Sequence, residues 1–383
     1  MRAKSSFRSA FIFSTFLGVV CAYVVLIFAV CINENNNEMP TLAGDQSNNG
    51  SNKTGVKDSD KKSEYKENKS EKISENIDAG KSVLLSDRAW LFVYYTSKGH
   101  DGLFYAWSSD GLLWQQIRDG KPFLRPEVGG EVKERLMRAP SICRGMDGTY
   151  HMVWTAGWES KSIGYASSKD MINWSKQRLL PVMEHEKGTR NTWDPELFYD
   201  DNGKRFYIIW ASTVAGSFKE TEGTGEGNFN HRLYYTTTVD FAEFTQTKLY
   251  WNPEHNVIDP LLIEDKSGDV SERYLLFYKD ETFKPNPKKN LLLATGASPT
   301  GPFNIRKVVS HTDWVQGPSV LRIGGDWYLY YDCYAKRHFG AVKSNDLNNW
   351  TNITEKLCFP TKARQGTIIE IDKETLKKLR ELK

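Results

Sequence analysis

Two aspartates stand in nearly identical short phrases, and each could take up or release a proton. Asp194 lies in TWDPEL and Asp259 in VIDPLL, while Glu281 adds a third carboxyl group in FYKDE. Carboxyl groups placed in a cleft are common general acids and bases. Related phrases, in which a polar or small residue precedes Pro or Gly and then aliphatic residues, recur as RAPSI, VQGPSV and ARQGTI. Five such phrases indicate a repeated unit whose variable residues face a shared site.

A longer pattern accompanies each phrase. An aromatic and aliphatic strand follows a turn, as in DGTYHMVWTAG, and then a second strand, a turn and an aromatic residue follow, as in IGYASSKDMINW. The prolines at positions 140, 195, 260 and 318 are 55, 65 and 58 residues apart. This spacing is too long for helical solenoids and is typical of four-stranded sheets arranged around an axis as propeller blades.

The first and last units are incomplete in complementary ways. The unit near Asp87 lacks an opening phrase, whereas RQGTIIEI near the C-terminus has no unit after it. We therefore predict an all-β, five-bladed β-propeller over residues 87–372, closed by a C-terminal strand that completes the first blade and removes its exposed edge. Residues 373–383 are predicted to form a helical tail. The inner strands begin where the blades converge, so the five phrases should line a common funnel.

The motifs taken in series resemble glycoside hydrolase family 43 and its relatives. RAPSI, RNTWDPELFYD, HRLYYTTTVDF, VIDPLL, FYKDE, VQGPSV and ARQGT follow one another over residues 87–370. The resemblance implies a five-bladed propeller that cleaves arabinofuranosyl, xylosyl or related linkages with inversion. It also implies three acids, namely an Asp base, an Asp that orients the acid and raises its pKa, and a Glu acid. Inversion requires the base and the acid about 6.5–9.5 Å apart, so that a water molecule fits.

The chain departs from the family pattern at two of these three acids. Asp259 matches the orienting Asp, but Ala139 stands at the base position and Gln316 at the acid position. Loss of general acid or base assistance lowers a rate by about 10²–10⁴-fold each, so hydrolysis by the family mechanism is not expected. Gln365 replaces a His that many members have near a central ion or water. A metal ion on the axis is an alternative that no ligand cluster supports, and we predict no cofactor.

Other residues at family motif positions retain the character of a sugar site. The candidate substrate-binding residues are Trp158, Arg190, Trp193, Glu196, Arg232, Lys279, Asp280 and Arg364. Tryptophan faces can stack on sugar rings, and convergent charged groups can orient a ligand. Blade core is the alternative for Trp158 and Trp193, and it is the expectation for Trp114, Trp154, Trp174, Trp210 and Trp350. Lys279 with Asp280 could also be only a turn-stabilising pair.

These observations support more than one function. Ala139 and Gln316 favour a carbohydrate-interacting protein with lost or strongly reduced glycosidase activity. Asp194 occupies a position where relatives commonly have Ala, one blade from Ala139. With Asp259 and Glu281 it supports the alternative of an active glycosidase or glycosyltransferase with relocated catalytic carboxylates. A third alternative is a propeller that only docks proteins. The predicted partner is a glycan or oligosaccharide.

The first 86 residues predict a membrane anchor and a stalk. Residues 1–9 are a basic cytosolic N-terminus, and residues 10–32 are uncharged and long enough to cross a hydrocarbon core of about 30 Å as a helix. A cleaved signal peptide is the alternative. Residues 33–86 are too polar to fold and predict a disordered stalk. The positive-inside rule then gives a single-pass type II protein of the Golgi or cell surface, with the propeller lumenal or extracellular.

Secretory routing makes the Asn-x-Ser/Thr triplets plausible glycosylation sites. The candidate acceptors are Asn49, Asn52, Asn68, Asn173, Asn349 and Asn352. Beyond the span, Cys143, Cys333 and Cys358 allow at most one disulfide among themselves. The net charge of +3 arises from interspersed signs, which predicts no nucleic-acid partner.

Overall fold

Residues 88–382 are the part of the chain that this computed structural model describes. The predicted span, the stalk and the triplets at Asn49, Asn52 and Asn68 lie outside the described residues. Within residues 88–382, no helix is both long enough and apolar enough to cross a membrane.

Twenty β-strands form five four-stranded antiparallel sheets among the described residues. In chain order the strands are β1 (Arg88–Thr96), β2 (Phe104–Ser108), β3 (Gln115–Gln116), β4 (Arg138–Arg144), β5 (Tyr150–Thr155), β6 (Ile163–Ser168), β7 (Arg178–Leu180), β8 (Trp193–Asp200), β9 (Arg205–Thr213), β10 (His231–Thr238), β11 (Lys248–Trp251), β12 (Val257–Glu264), β13 (Tyr274–Asp280), β14 (Leu291–Gly296), β15 (Asn304–Val308), β16 (Gln316–Ile323), β17 (Asp326–Cys333), β18 (His338–Ser344), β19 (Thr351–Asn352) and β20 (Ala363–Asp372). Short 3-10 helices cover Arg118–Gly120, Val132–Glu134, Lys219–Thr221, Glu226–Asn228, Val270–Glu272 and Thr354–Lys356, and the α-helix α1 covers Lys373–Glu381.

Each sheet is one blade, and the prediction of an all-β five-bladed propeller is confirmed. Blade I has the strand order β20-β1-β2-β3, and blades II to V consist of β4–β7, β8–β11, β12–β15 and β16–β19. The C-terminal strand β20 pairs antiparallel with β1, with Ile368 opposite Phe92. The chain therefore closes the ring by completing its first blade, as the sequence predicted.

A serine or threonine two residues before an aspartate shapes the turn after the third strand of four blades. In blade II, Ser168 Oγ donates to Asp170 Oδ1 at 3.0 Å, and that oxygen also accepts from the backbone N–H groups of Ile172 and Asn173. Such local bonds fix a turn because they satisfy its backbone donors. The equivalent pairs are Ser108 with Asp110, Thr238 with Asp240, and Ser344 with Asp346.

Aromatic and aliphatic side chains fill the spaces within and between neighbouring blades. Trp114, Trp154 and Trp210 are buried, as expected for blade core, whereas Trp174 and Trp350 are half-buried against it. Asp372 caps the N-terminus of helix α1, since its side chain accepts from the Thr375 N–H. It packs Leu376 and Leu379 into the core beneath blades I and II.

Candidate functional site

Each inner strand carries one extra residue near the point where the blades converge. On β4, Arg138 pairs with Thr155 and Ser141 pairs with Val153, so β4 has one residue more than β5 over this interval. The same β-bulge occurs in β8, β12 and β16, and β20 carries an extra residue near its start. Bulges bend a strand and redirect its side chains, which is why they are frequent next to active sites.

The bulged residue has a left-handed backbone conformation in four blades. The φ angle is +43° at Ala139, +49° at Asp194, +53° at Asp259 and +59° at Gly317, and each residue directly precedes a proline. Positive φ is uncommon for residues other than glycine, and such strain is concentrated at functional sites. Together with Gln365 of blade I, these residues line one end of an axial channel, and we call the five the hub.

Gln365 joins the two aspartates of the hub. Its Nε2 donates to Oδ1 of Asp194 and to Oδ1 of Asp259, each at 3.1 Å. The second oxygen of Asp259 accepts from the backbone N–H of Gly317 at 3.0 Å. Two contacts to one nitrogen keep these carboxylate oxygens closer together than about 6.5 Å, the shortest separation of base and acid in inverting glycosidases. The pair therefore lacks the spacing of an inverting base and acid.

Asp194 is buried beside a second carboxyl group, and both features affect its ionisation. Burial and the neighbouring Asp259 raise the pKa of Asp194 well above its ordinary value, and Arg138 and Lys279 oppose this shift without cancelling it. Two carboxylates in one site cannot both ionise easily. The pair therefore retains a proton at pH values where an isolated aspartate has lost it.

Glu196 lies two residues further along β8 and lines the axial channel, not the funnel. It is buried, and its carboxyl group accepts from Ser141 Oγ at 2.8 Å. Burial raises the pKa of Glu196 to about 8. Ser319 and Thr367 line the same narrow channel, whose volume of about 30 Å³ is too small for a sugar. Glu196 is consequently not in a position to contact a glycan in the funnel.

A cavity of about 200 Å³ adjoins the hub, and we call it the funnel cavity. Asp194 and Gln365 belong to both the hub and this cavity. The remaining lining residues are Arg138, Thr155, Trp158, Trp193, Glu226, Ile258, Lys279, Glu281, Gln316 and Tyr334. Of the three catalytic candidates, Asp194 and Glu281 line the cavity. Asp259 does not line it, but it accepts a hydrogen bond from Gln365, which does.

Two tryptophans form one wall of the funnel cavity. Trp158 is 44% exposed, and its ring meets the ring of Trp193 edge to face with centroids 5.7 Å apart. Trp193 is half-buried, packs against Phe229 at 4.6 Å and donates from Nε1 to the Trp158 carbonyl at 2.8 Å. Both residues thus belong to the cavity wall, and Trp158 offers the larger exposed ring.

Glu281 is engaged by two lysines. Its Oε2 lies 2.7 Å from Lys279 Nζ, and its other oxygen pairs with the buried Lys289, which also contacts Glu226 at 2.9 Å. Burial alone would lower the pKa of Lys279. The nearby Glu281, Tyr334 and Asp259 outweigh burial, so the pKa of this lysine is raised. The ammonium also lies 4.7 Å from the centre of the Tyr334 ring. Glu281 therefore serves as the counter-ion of Lys279 and Lys289.

Asp332 holds the amide of Gln316, the residue that the sequence analysis placed at the acid position of the family pattern. Gln316 Nε2 donates to Asp332 Oδ2 at 3.2 Å, and Arg364 Nε donates to the same oxygen at 2.8 Å. Asp332 is almost fully buried; burial raises its pKa, although Arg364 acts in the opposite direction. The sequence analysis missed Asp332, which stands at the end of β17 in YYDCY. It also missed Arg138, although this residue is part of RAPSI.

Five predicted substrate-binding residues lie outside the lining of the funnel cavity: Glu196 and Arg364, described above, and Arg190, Arg232 and Asp280. Arg190 stacks on Phe229 at 4.1 Å and donates to the Asn228 carbonyl. Arg232 is fully buried, and its guanidinium bonds to the loop that joins β9 and β10. Asp280 accepts from the Thr282 N–H at 2.9 Å and so stabilises a turn.

The remaining predicted sites on the described residues have the following environments. Asn173, Asn349 and Asn352 are exposed, and their glycosylation stays a prediction. Cys143 and Cys333 are free thiols. Within residues 88–382, no three or more His, Cys, Asp or Glu side chains are arranged to hold a metal ion.

Comparison with known proteins assigns the family. The family model of glycosyl hydrolase 43-related domains, described as "Probable glycosyl hydrolase domain", matches residues 87–377. The chain belongs to this family, and the resemblance seen in the sequence is confirmed. No curated protein matches the sequence significantly.

Several solved structures are similar at low identity. The α-L-arabinofuranosidase of Lactobacillus brevis is 20% identical, with 56% of this chain and 71% of that chain covered and a TM-score of 0.41. The endo-1,4-β-xylanase of Bacteroides thetaiotaomicron is 18% identical, with 59% and 74% covered and a TM-score of 0.41. A family 43 enzyme of Xanthomonas citri is 13% identical, with 60% and 76% covered and a TM-score of 0.43. The family assignment rests on the family model and not on these similarities.

Proposed function

We propose that this protein binds a glycan in the funnel cavity and does not cleave it by the inverting mechanism. The main support for this proposal is the set of residues in the hub. A methyl group occupies the base position at Ala139, and the two hub carboxylates contact a single amide nitrogen. This spacing is too short for a water molecule between a base and an acid.

The acid position supports the same conclusion. Gln316 has no proton to transfer, and its amide is fixed by Asp332. Glu281 is occupied by two lysines. The exposed ring of Trp158 and the polar groups beside it nevertheless retain what sugar recognition requires, namely an apolar surface with a few oriented polar groups.

A glycan array followed by product analysis tests this proposal. The purified protein should bind a defined set of arrayed glycans, and incubation with the same glycans in solution should release no sugar above the buffer control. Release with multiple turnovers would contradict the proposal. A folded protein that binds no glycan would also contradict it and would favour the protein-docking alternative.

The second candidate function is an active glycosidase or glycosyltransferase with relocated carboxylates. The observation in its favour is Asp194, whose raised pKa leaves it a proton to donate in the cavity. A general acid needs its proton at the working pH. Activity that is lost in both Asp194→Asn and Asp259→Asn would support this candidate. Activity that persists unchanged in both variants would exclude it.

We also propose that residues 10–32 anchor the protein in a membrane of the secretory pathway. The uncharged length of this segment and the basic residues before it support the proposal. Resistance to extraction by alkaline carbonate, together with a mobility shift after removal of N-glycans, is the expected result. A protein that is extracted by carbonate and shows no shift would contradict it.

A further inference from the structure

Arg138 is a cation of the funnel cavity that has no carboxylate within ion-pair distance among the described residues, although its charge is felt by Asp194 at longer range. Its guanidinium lies between two rings, 4.4 Å from the centre of the Trp158 ring and 4.9 Å from that of Tyr95. Within residues 88–382, no carboxylate lies within ion-pair distance of it and no group accepts a hydrogen bond from it. The other cation in the cavity lining, Lys279, is paired with Glu281.

The carboxylates near Arg138 are already engaged elsewhere. Asp259 accepts from Gln365 and from the Gly317 backbone. Glu281 is held by its two lysines. Asp194 accepts from Gln365, and its raised pKa lowers the negative charge that it presents. Glu226, the remaining carboxylate of the cavity lining, pairs with Lys289 at 2.9 Å. An anion entering the cavity therefore meets a guanidinium that has no ion-pair partner among the described residues, while the carboxylates of the lining are engaged by other groups.

The residues at the vacated catalytic positions add no negative charge. Ala139 follows Arg138 directly, and its methyl group lines the hub where the family has a carboxylate. Gln316 is neutral and lines the funnel cavity. The same two substitutions that remove proton transfer thus also leave the cavity less repulsive to anions.

We propose that the glycan bound in the funnel cavity carries a single anionic group, a uronic acid carboxylate or a sulfate ester, and that Arg138 binds this group. This inference rests on the proposed function and names its ligand class. A guanidinium presents its N–H donors in a planar fork that fits an oxyanion. Trp158 lies next to Arg138 and is 44% exposed, so it offers an apolar surface to the sugar that carries the anionic group. One unpaired cation matches a singly charged group.

Matched pairs of arrayed oligosaccharides test the inference. One set contains uronic acid oligosaccharides and their carboxyl-reduced forms, and the other contains sulfated oligosaccharides and their desulfated forms. We expect the charged member of at least one pair to bind about 10-fold more tightly or better, as expected for a charge-assisted hydrogen bond. The pair that shows this preference identifies the anionic group. The preference should weaken as salt is raised, because exposed charge interactions are screened.

Variants of Arg138 assign the preference to this residue. Arg138→Gln should abolish the preference for the charged member, and Arg138→Lys should retain part of it. The matched control is Arg144→Gln at the opposite end of β4, where the guanidinium likewise stacks on a ring, 5.0 Å from the centre of Tyr150. The control should keep the full preference. The salt titration of the wild-type protein needs no variant and so remains informative if Arg138→Gln fails to fold.

The outcomes separate this inference from the proposed function. Equal or tighter binding of the neutral members would overturn the inference and leave the proposed function standing. A preference for charged members that survives in a folded Arg138→Gln variant would overturn the role of Arg138. Binding of no member of any pair by the folded protein would overturn both proposals together.

Discussion

Replacing the buried carboxyl group of the axial channel should make the protein less sensitive to pH. Glu196 has an ordinary pKa of 4.5, and burial raises it to about 8 in the folded protein. The folded state therefore holds a proton that the unfolded chain has already lost between these two values. The free energy of unfolding is unaffected below about pH 4.5 and falls as the pH rises toward 8, where the penalty levels off.

The size of the effect follows from the shift. Each pKa unit corresponds to about 1.4 kcal/mol, so the full shift corresponds to a penalty on the order of 5 kcal/mol above pH 8. Glu196→Gln keeps the shape of the protonated carboxyl group and an oxygen that can accept from Ser141. The variant should match the wild-type protein near pH 5 and should exceed its free energy of unfolding by several kcal/mol at pH 8.

Denaturant unfolding of both proteins at intervals from pH 5 to pH 9 measures this difference. The matched control is Glu184→Gln, because Glu184 also accepts from a serine hydroxyl, that of Ser162 at 2.8 Å, but is exposed. The control should differ from the wild-type protein by a small amount that does not grow with pH. Parallel stability curves for the wild-type protein and Glu196→Gln would refute the reasoning.

Further predictions concern the cavity wall and the hub backbone. Trp158→Ala should weaken glycan binding, measured by calorimetry, about 10-fold and should cost little stability, because Trp158 is 44% exposed. Trp154 is fully buried, so Trp154→Ala should lower the free energy of unfolding by about 3–5 kcal/mol. Equal effects of the two variants on stability would contradict the placement of Trp158. Gly317→Ala should destabilise the protein by at least about 2 kcal/mol more than Gly324→Ala. Both glycines have φ near +60°, so the backbone strain of an alanine is similar at the two positions. A Cβ at Gly317 would lie 2.1 Å from the Cβ of Gln365, whereas a Cβ at Gly324 would have no atom within 4 Å. Equal stability of these two variants in denaturant would show that the hub is not closely packed there.

The repeat pattern was sufficient to predict the propeller and its closure. The alternation of strand and turn phrases marks each blade, and the orphan phrase RQGTIIEI marks the strand that completes blade I. Equivalent positions in a repeat face the same axis, so the meeting of Asp194 and Asp259 also followed from the sequence. The β-bulges with positive φ that orient these residues could not be predicted, because nothing in the local sequence specifies one extra residue in the strand pairing.

The sequence did not predict the surroundings of side chains that are positioned by a loop or by another strand. Arg232 was predicted from the family resemblance to bind substrate, yet the loop between β9 and β10 buries it, and the repeat contains no information on that insertion. Glu196 follows Asp194 by two residues on β8, and at that position its side chain lines the narrow channel and not the funnel cavity. Asp332 accepts hydrogen bonds from Gln316 and Arg364, which come from other strands.

We propose that Ala139 and Gln316, at the predicted base and acid positions, are the reason why a glycan is bound and not cleaved. The most direct measurement compares sugar release by the wild-type protein with release by the double variant Ala139→Asp, Gln316→Glu, on a glycan that both proteins bind. Asp194 and Asp259 show that an aspartate is accepted at the backbone conformation of Ala139. We predict no release by the wild-type protein and measurable turnover by the double variant. Turnover by the wild-type protein that the double variant does not increase would contradict the claim.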